Sequence, residues 1–516
     1  MVTSVAGIAA FEALQRVGSA AGLAVRPDWQ LGLLLGAGGL AGSYCGARLQ
    51  KHVPDRWIRR VLALLILGLA LSYLASPLAA QCLADNPGGN GLNANRPSDS
   101  DVPAAKFSPI ARLNRELPDW LCFNAGYRAR FEGYTAGNFR DGNSDYYLLT
   151  RLRVGALFTP AAWFKAYAEL QDATAFWKQP PLAPPYQTTW DLRRAYIDLG
   201  DLERGRISVR AGRQDLAFGH LRLVGTAYWR NASRGYDAVR VVANWKRVRV
   251  NVWAASPVVC LVNGLCHHQQ GDNFHGIYTT LKDIIPGSDL EPYALWRLSP
   301  GFKTEAGITA RLDEKTAGLH WAGVNARWDY DAEITGQTGS IGPDPLRAWA
   351  GSAIAGYTLP FPRFKTRIFA KYDYASGDRN PRDGIHGTFD QLYPNIHDHH
   401  GLADQVAWQN LKSIRCGVRV SLRRNFIVAA AYNDWWLASA NDAFYGASGA
   451  AMARDPAGLS GTHIGREYDA QASYRPDRRL ELGIGVGYIR SGDFLVRTIH
   501  ARSYTYPYAM LNYNDF

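Results

Sequence analysis

Cysteine and methionine are scarce in this 516-residue chain, with 6 Cys and 3 Met. So few thiols over that length exclude a disulfide framework. Only Cys260 and Cys266, in VVCLVNGLCHH, lie close enough in sequence to suggest a local bridge in an oxidising compartment, whereas Cys45, Cys82, Cys122 and Cys416 are scattered. A zinc reading of that stretch with His267 and His268 has no common ligand spacing behind it. Overall hydrophobicity is also missing: a mean hydropathy of -0.22 excludes a bundle of membrane helices. The glycine-rich segments form no P-loop or dinucleotide fingerprint, and no nucleophile elbow is present, so the sequence offers neither a cofactor site nor a catalytic centre. The net charge of +12 would first suggest a nucleic-acid partner, but there is no basic low-complexity tail, zinc-finger spacing or aromatic RNA-binding motif to receive one.

What the chain does have is aromatic residues and glycine. Aromatics reach 12%, with 16 Trp and 27 Tyr beside 51 Gly, and this richness without net hydrophobicity is what strands give when one face meets lipid and the other a polar lumen. From about residue 120 a period of two takes over. In WFKAYAELQD, Phe164, Ala166, Ala168 and Leu170 fall on one face and Lys165, Tyr167, Glu169 and Gln171 on the other. RRAYIDL sets Ala195, Ile197 and Leu199 opposite Arg194, Tyr196 and Asp198; GRISVRAG sets Ile207, Val209 and Ala211 opposite Arg206, Ser208 and Arg210. WKRVRVNVWA, EYDAQASY and LELGIGVGY repeat the pattern. A soluble sandwich also alternates, but it has no use for charges opposite its apolar face on nearly every strand. The expected fold is therefore an all-β, transmembrane antiparallel barrel of about 16–18 strands, a size that leaves a water-filled lumen.

Residues 1–80 read differently, as an apolar helical segment. One account places a signal peptide within about 53–80, with Arg56, Arg59 and Arg60 as the positive region, Val61 to Leu74 as the apolar core and cleavage after about Ala80. The other rests on GGLAGSYCGARLQKHVPDRWIRRVLALLILGLAL, which resembles the tail of a TauE/SafE-type permease over residues 20–75. Inner-membrane helices and an outer-membrane barrel insert into different membranes, so the segment is expected to be cleaved or to be a fused or misannotated extension. Residues 81–106, rich in Asn, Gly, Pro and Ser, are expected to be a flexible linker, leaving the barrel at 107–516.

Several stretches of the barrel region resemble the alginate export porin family: YRARFEGY, TRLRVGALFTP, RRAYIDLGDLERGRISVRAGRQDLAFGHLRLVG, WRNASRGYDAVR and TFDQLYPNIHDHHGLADQVAWQNL. The resemblance implies a barrel of about eighteen strands whose arginine-rich lumen passes an anionic polysaccharide across the cell outer membrane. The chain end agrees, since ARSYTYPYAMLNYNDF closes on alternating aromatics and Phe516, like the terminal strand signal read by the barrel assembly machinery. Guanidinium groups pair with carboxylates and keep their charge, which suits a uronate polymer. Arg151, Arg153, Arg194, Arg206, Arg210, Arg213, Arg222, Arg240 and Arg249 fall on or beside polar strand faces, with Glu169 and Asp198 among the acids that would hold them. Arg194 in RRAYIDL and Arg213 in GRQDL sit in the family-like motifs.

His397, His399 and His400 in IHDHH could bind zinc or copper, although neighbouring side chains of an extended strand point apart. The expected partners are an anionic polysaccharide or small anionic solutes, outer-membrane lipid and lipopolysaccharide, and the assembly machinery, with the protein acting as a monomer and without nucleic acid. A general or small-solute porin is the competing channel reading. An outer-membrane lipid-acting enzyme would need a Ser, His and acid converging on the lipid side, where the assignable positions are apolar.

Overall fold

The computed structural model describes residues 98–515 except Lys106 and Pro362, all within the second of two units of the chain, Ala75–Phe516. The apolar segment 1–80, its expected signal peptide, Cys45, Cys82 and the terminal Phe516 lie outside the described residues. Among the described residues no helix is long and apolar enough to cross a membrane. The crossing is made by strands instead.

Eighteen antiparallel strands close into a barrel. In chain order the strands are β1 (Leu121–Tyr134), β2 (Asp145–Ala161), β3 (Phe164–Phe176), β4 (Thr188–Leu199), β5 (Ile207–Gln214), β6 (Tyr236–Asn244) and β7 (Val248–Leu261). There follow β8 (Gly264–His268), β9 (Asn273–Ile285), β10 (Ser288–Lys303), β11 (Thr309–Asn325), β12 (Trp328–Ile341), β13 (Asp344–Leu359), β14 (Lys365–Ala375) and β15 (Leu411–Arg423). The last are β16 (Phe426–Leu437), β17 (Phe444–Tyr445), β18 (Ala451–Ala453), β19 (His463–Tyr474), β20 (Leu480–Ser491) and β21 (Tyr504–Asp515). Each pairs with its neighbour in sequence, except that β8 folds back on β7, so that β9 takes the next place in the wall, and β17 with β18 forms a separate hairpin. β16 passes directly to β19, and β21 returns to β1, Ala129 opposite Leu511, which closes the wall on itself with no open edge among its described strands.

The alternation read from sequence is the alternation of the wall. On β3, Tyr167, Glu169 and Gln171 are buried inside while Leu170 is exposed to the outside; on β2, Val154 and Tyr146 face out while Tyr147 and Leu149 face in. One rim carries tight turns, such as 162–163 and 286–287, and the other long connections, which marks the first as periplasmic and the second as extracellular. At the periplasmic rim the helix α1 (Pro109–Arg115) is tied to the last strand: Asp515 accepts from the Ile110 amide at 2.9 Å and from the Ser108 hydroxyl at 2.5 Å. The last part of the expected flexible linker is attached here too. Arg475 pairs with Asp99 at 2.6 Å, and the Arg478 amide donates to the Pro103 carbonyl.

Two of the long connections turn into the barrel. Inner loop A (residues 215–235) follows β5 and inner loop B (residues 376–410) follows β14. Between them and the wall lies an apolar cluster that includes Leu216, Val224, Trp229, Phe389, Leu402 and Trp435. A short helix α2 (Asp493–Ile499) between β20 and β21 adds Phe494 and Leu495 to it.

Candidate functional site

The lumen is built from inward residues that are charged far more often than a protein core allows. Arg128 and Arg130 of β1 and Arg151 and Arg153 of β2 share one patch of wall, with Arg128 directly opposite Arg151 in the register. Arg128 and Arg151 form no ion pair among the described residues; both donate to main-chain carbonyls of inner loop A. Arg128 reaches the Tyr228, Trp229 and Arg230 carbonyls at 3.1, 3.1 and 3.0 Å, and Arg151 reaches Tyr228 and Arg230 at 3.2 and 3.3 Å. Arg130 adds a bond to the Trp229 carbonyl at 2.6 Å, an ion pair with Glu132 and a guanidinium stacked 3.9 Å over the Trp229 ring. Arg153 is held by the Gln171 amide oxygen at 2.8 Å and the Ser233 hydroxyl at 2.7 Å.

Deeper in the same wall the arginines are paired. Arg194 grips Glu169 through two bonds of 3.1 and 2.5 Å and lies over Tyr167; Arg210 grips Asp198 through bonds of 2.6 and 2.7 Å and lies 3.7 Å over Tyr196. Each of these pairs is buried, which is tolerable only because the fork geometry satisfies both partners. Arg240 donates to the Asn251 amide oxygen at 2.6 and 3.1 Å, and Arg249 binds Glu203 of the β4–β5 turn at 2.5 and 2.8 Å. Arg210, Arg240 and Arg249 line a cavity of about 410 Å³ with Phe218, Tyr278 and Glu291.

Two expected lumen residues stand elsewhere. Arg206 precedes β5 in the exposed periplasmic turn, because the strand starts one residue later. Arg213 occupies the alternate face of β5, directly opposite Asp237, to which it is bonded at 2.8 and 3.1 Å, and it also donates to the Leu192 and Cys266 carbonyls. Its guanidinium therefore joins β4, β6 and the β7–β8 hairpin, whose Cys260–Cys266 disulfide is formed.

The opposite wall is rich in carboxylates. Asp331 and Glu333 of β12 receive Arg222 of inner loop A at 2.6 and 3.1 Å, and Asp331 also meets His220 at 2.9 Å and His320 at 2.8 Å. Inner loop B reaches this wall through its own acids and carbonyls: Asp390 pairs with Arg297, Asp398 with Arg415, and Lys371 donates to the His399 carbonyl at 2.8 Å. Gly401, at φ +121°, brings the loop so close to β19 that a Cβ would stand 2.0 Å from a Glu467 oxygen. The loops also join each other, with amide-to-carbonyl bonds from Gly225 to Tyr393, Tyr393 to Leu223 and Asn395 to Leu221 of 2.8–2.9 Å, and with Trp229 stacked on His397 at 3.6 Å. Together they lie across the lumen and narrow it.

The three histidines of IHDHH do not converge. His397 stacks on Trp229 and bonds Asp404 at 2.9 Å, His399 lies against His220, and His400 faces Asp373 at 3.3 Å. Among the described residues the one group with ligand atoms close together is Asp191, Cys260 and Cys266, whose sulfurs are joined in the disulfide. The sequence reading passed over Arg128, Arg130, Lys371 and Arg415. The first two were visible as alternate residues of YRARFEGY.

A closed eighteen-stranded barrel with an apolar exterior, a charged lumen and loops drawn across it is an outer-membrane channel, not an enzyme. The alginate export family model matches residues 119–507, so the chain belongs to that family. Residues 1–73 match the sulfite exporter TauE/SafE model. No curated protein sequence matches the chain. Similar solved structures include Pseudomonas aeruginosa OccK8 (OprE), with 10% identity and a TM-score of 0.52 over 76% of this chain and 98% of that one. P. aeruginosa OpdK with vanillate shares 11% identity at a TM-score of 0.51 over 76% and 98%, and P. aeruginosa OpdO 13% at 0.50 over 78% and 98%. At such identities the likeness is one of fold.

Proposed function

We propose that this channel passes anionic carbohydrate, alginate-like polyuronate in the first place, along the basic wall formed by β1–β7. The observation that carries the reading is the concentration of inward arginines there: Arg128, Arg130, Arg151, Arg153, Arg194, Arg210, Arg240 and Arg249 against Glu132, Asp145, Glu169, Asp191 and Asp198 of the strands and Glu203 of the β4–β5 turn. A polymer with one carboxylate per sugar would exchange repeated, weak contacts along such a wall, as conduction requires. Partial pairing with Glu169, Asp198 and Asn251 keeps each arginine in place and moderates its attraction. A second reading, uptake of small anionic or aromatic solutes, is favoured by inner loops A and B, which narrow the lumen, and by the vanillate of the OpdK structure. The alternating aromatics of β21 support delivery through the barrel assembly machinery.

Planar-bilayer current recorded with simple salt, polymannuronate and neutral oligosaccharide separates the two. Anion-selective current blocked by polymannuronate is expected, with the anion preference reduced about threefold in Arg153→Ala/Arg240→Ala, as expected for two cations partly screened by salt and partners, and unchanged in Arg213→Ala. An unselective current indifferent to polyuronate would overturn the reading.

A further inference from the structure

The outer surface of the barrel carries a groove that the channel reading does not use. Its origin is the register of β9–β13. Trp296 stands directly opposite both His275 and Lys315, Lys315 opposite Thr338, and Thr338 opposite Arg347, all on the outward face. The next outward row towards the periplasm reads Ile277, Ala294, Ala317, Gly336 and Trp349 by the same pairings. Three small residues on adjacent strands, about 4.8 Å apart, leave a hollow between Ile277 and Trp349. It forms part of a groove of about 810 Å³, with Trp296 and Lys315 on its extracellular side.

Depth and charge say what fits there. The outward row below the hollow is apolar, with Leu319 opposite Ile334, whereas the two rows above it turn polar, with Lys315 opposite Thr338 and then Asp313 opposite Ser340. The groove therefore straddles the boundary between hydrocarbon and headgroups in the outer leaflet, where Trp side chains collect. Asp313 accepts from the Trp296 indole at 2.9 Å and from the Lys315 ammonium at 3.0 Å, which steadies both at the rim. Lys315 keeps two further donors and more than half of its side chain is exposed, and Arg347 is exposed on the same row. Two cations, Lys315 and Arg347, against the one carboxylate of Asp313 give the rim a net positive charge beside an apolar trough.

We propose that this groove binds one phosphorylated, multiply acylated lipid of the outer leaflet, an acyl chain lying over Ala294, Ala317 and Gly336 and a phosphate meeting Lys315 and Arg347. A protein partner would present neither a phosphate at this height nor a chain thin enough for a trough bordered by the hydrocarbon. The site is independent of the lumen.

Native mass spectrometry of the full-length barrel in mild detergent, titrated with bis-phosphorylated lipid A, tests it. One tightly held lipid per barrel is expected, weakened about thirtyfold in Lys315→Gln/Arg347→Gln, from about 1 kcal/mol per interfacial cation. Ala317→Phe, which fills the trough without touching the charges, should weaken binding as well. Lys412→Gln removes an outward cation of β15 beside Trp436 on another face and should leave binding as it is. Unchanged affinity in the double variant, or an equal loss in Lys412→Gln, would overturn the site in favour of general interfacial attraction. Conductance of the double variant should match that of the unaltered channel, because both residues face outward.

Discussion

The two halves of the lumen wall solve the problem of buried charge in opposite ways. Strands β1–β7 carry an excess of arginine, and inner loop A meets Arg128 and Arg151 of β1 and β2 with neutral groups, the carbonyls of Tyr228, Trp229 and Arg230, while its Asp215 takes up Arg193 of β4. Strands β10–β19 carry an excess of carboxylate, including Glu314, Asp331, Glu333, Asp373, Glu467 and Asp469, and they receive cations, such as Arg222 from loop A and Lys371 and Arg415 from the wall itself. In the basic half Arg128 and Arg151 thus form no ion pair among the described residues, although Arg130, Arg194, Arg210 and Arg249 do, while the acidic half is closed by ion pairs. A passage for anions needs the first arrangement. The loops are anchored on both sides, by carbonyl bonds from Arg128, Arg130 and Arg151 and by the ion pairs of the acidic half.

The contrast can be broken most severely at Arg210. Removing it in Arg210→Ala strands Asp198 in a buried position, and denaturant unfolding of the reconstituted barrel should show a loss of about 3–5 kcal/mol. Adding Asp198→Asn should recover much of that loss. If the double variant is no more stable than the single one, the pair is not what holds this part of the wall.

Next in size is the docking of inner loop A. Arg128→Ala/Arg151→Ala removes five bonds to carbonyl oxygens, and charge-assisted bonds contribute roughly 1.5–3 kcal/mol each at most. The loop should leave the wall at least about tenfold more often, seen as larger and noisier single-channel steps. Steady currents at the original level would mean that the acidic half alone fixes the loop.

The smallest effect belongs to the extracellular loops above the acidic half. Glu305, in the β10–β11 connection, has its carboxyl pushed up to about 7 from an ordinary 4.5 by burial and by the hydrogen-bonding Asp378 carboxylate. A raised value means that the folded loop holds the proton more tightly than the unfolded chain does. The stabilisation is full below about pH 4.5 and fades as pH rises through about 7, so the protection factors of the amides in residues 304–308 and 378–387, taken relative to the intrinsic exchange rate at each pH, should fall between pH 6 and pH 8.5. Glu305→Gln should remove that dependence, and persistence of it in the variant would assign the titration to another group.

Much of this was legible in the chain. Strand direction on β3, β4, β5 and β7 follows from strict alternation, because lipid on one side and water on the other tolerate no slip of one residue. The same parity made Glu169, Arg194, Asp198 and Arg210 recognisable as facing one way. Arg213 was counted with the pore through its GRQDL motif, whereas the parity of Ile207, Val209 and Ala211, carried on by two residues, sets it on the alternate face, where Asp237 and the β7–β8 hairpin take it up. Parity was silent about GRQDLAFGHLRLVG and FDQLYPNIHDHHGLAD, which stood out as unusual but have no period; their bends, among them Leu221, Leu392 and Asp398 at positive φ, follow the wall they lie against.

The sequence by itself determined that this is a barrel with a charged interior, since a period of two with opposite chemistry on its two faces has one stable outcome in a membrane. Only the tertiary structure decided that the charge is divided into a basic and an acidic half, that two loops cross between them, and that a groove opens outside β9–β13. Each of these depends on which residues become neighbours across strands far apart in sequence, and register and closure set those neighbours, not the local pattern.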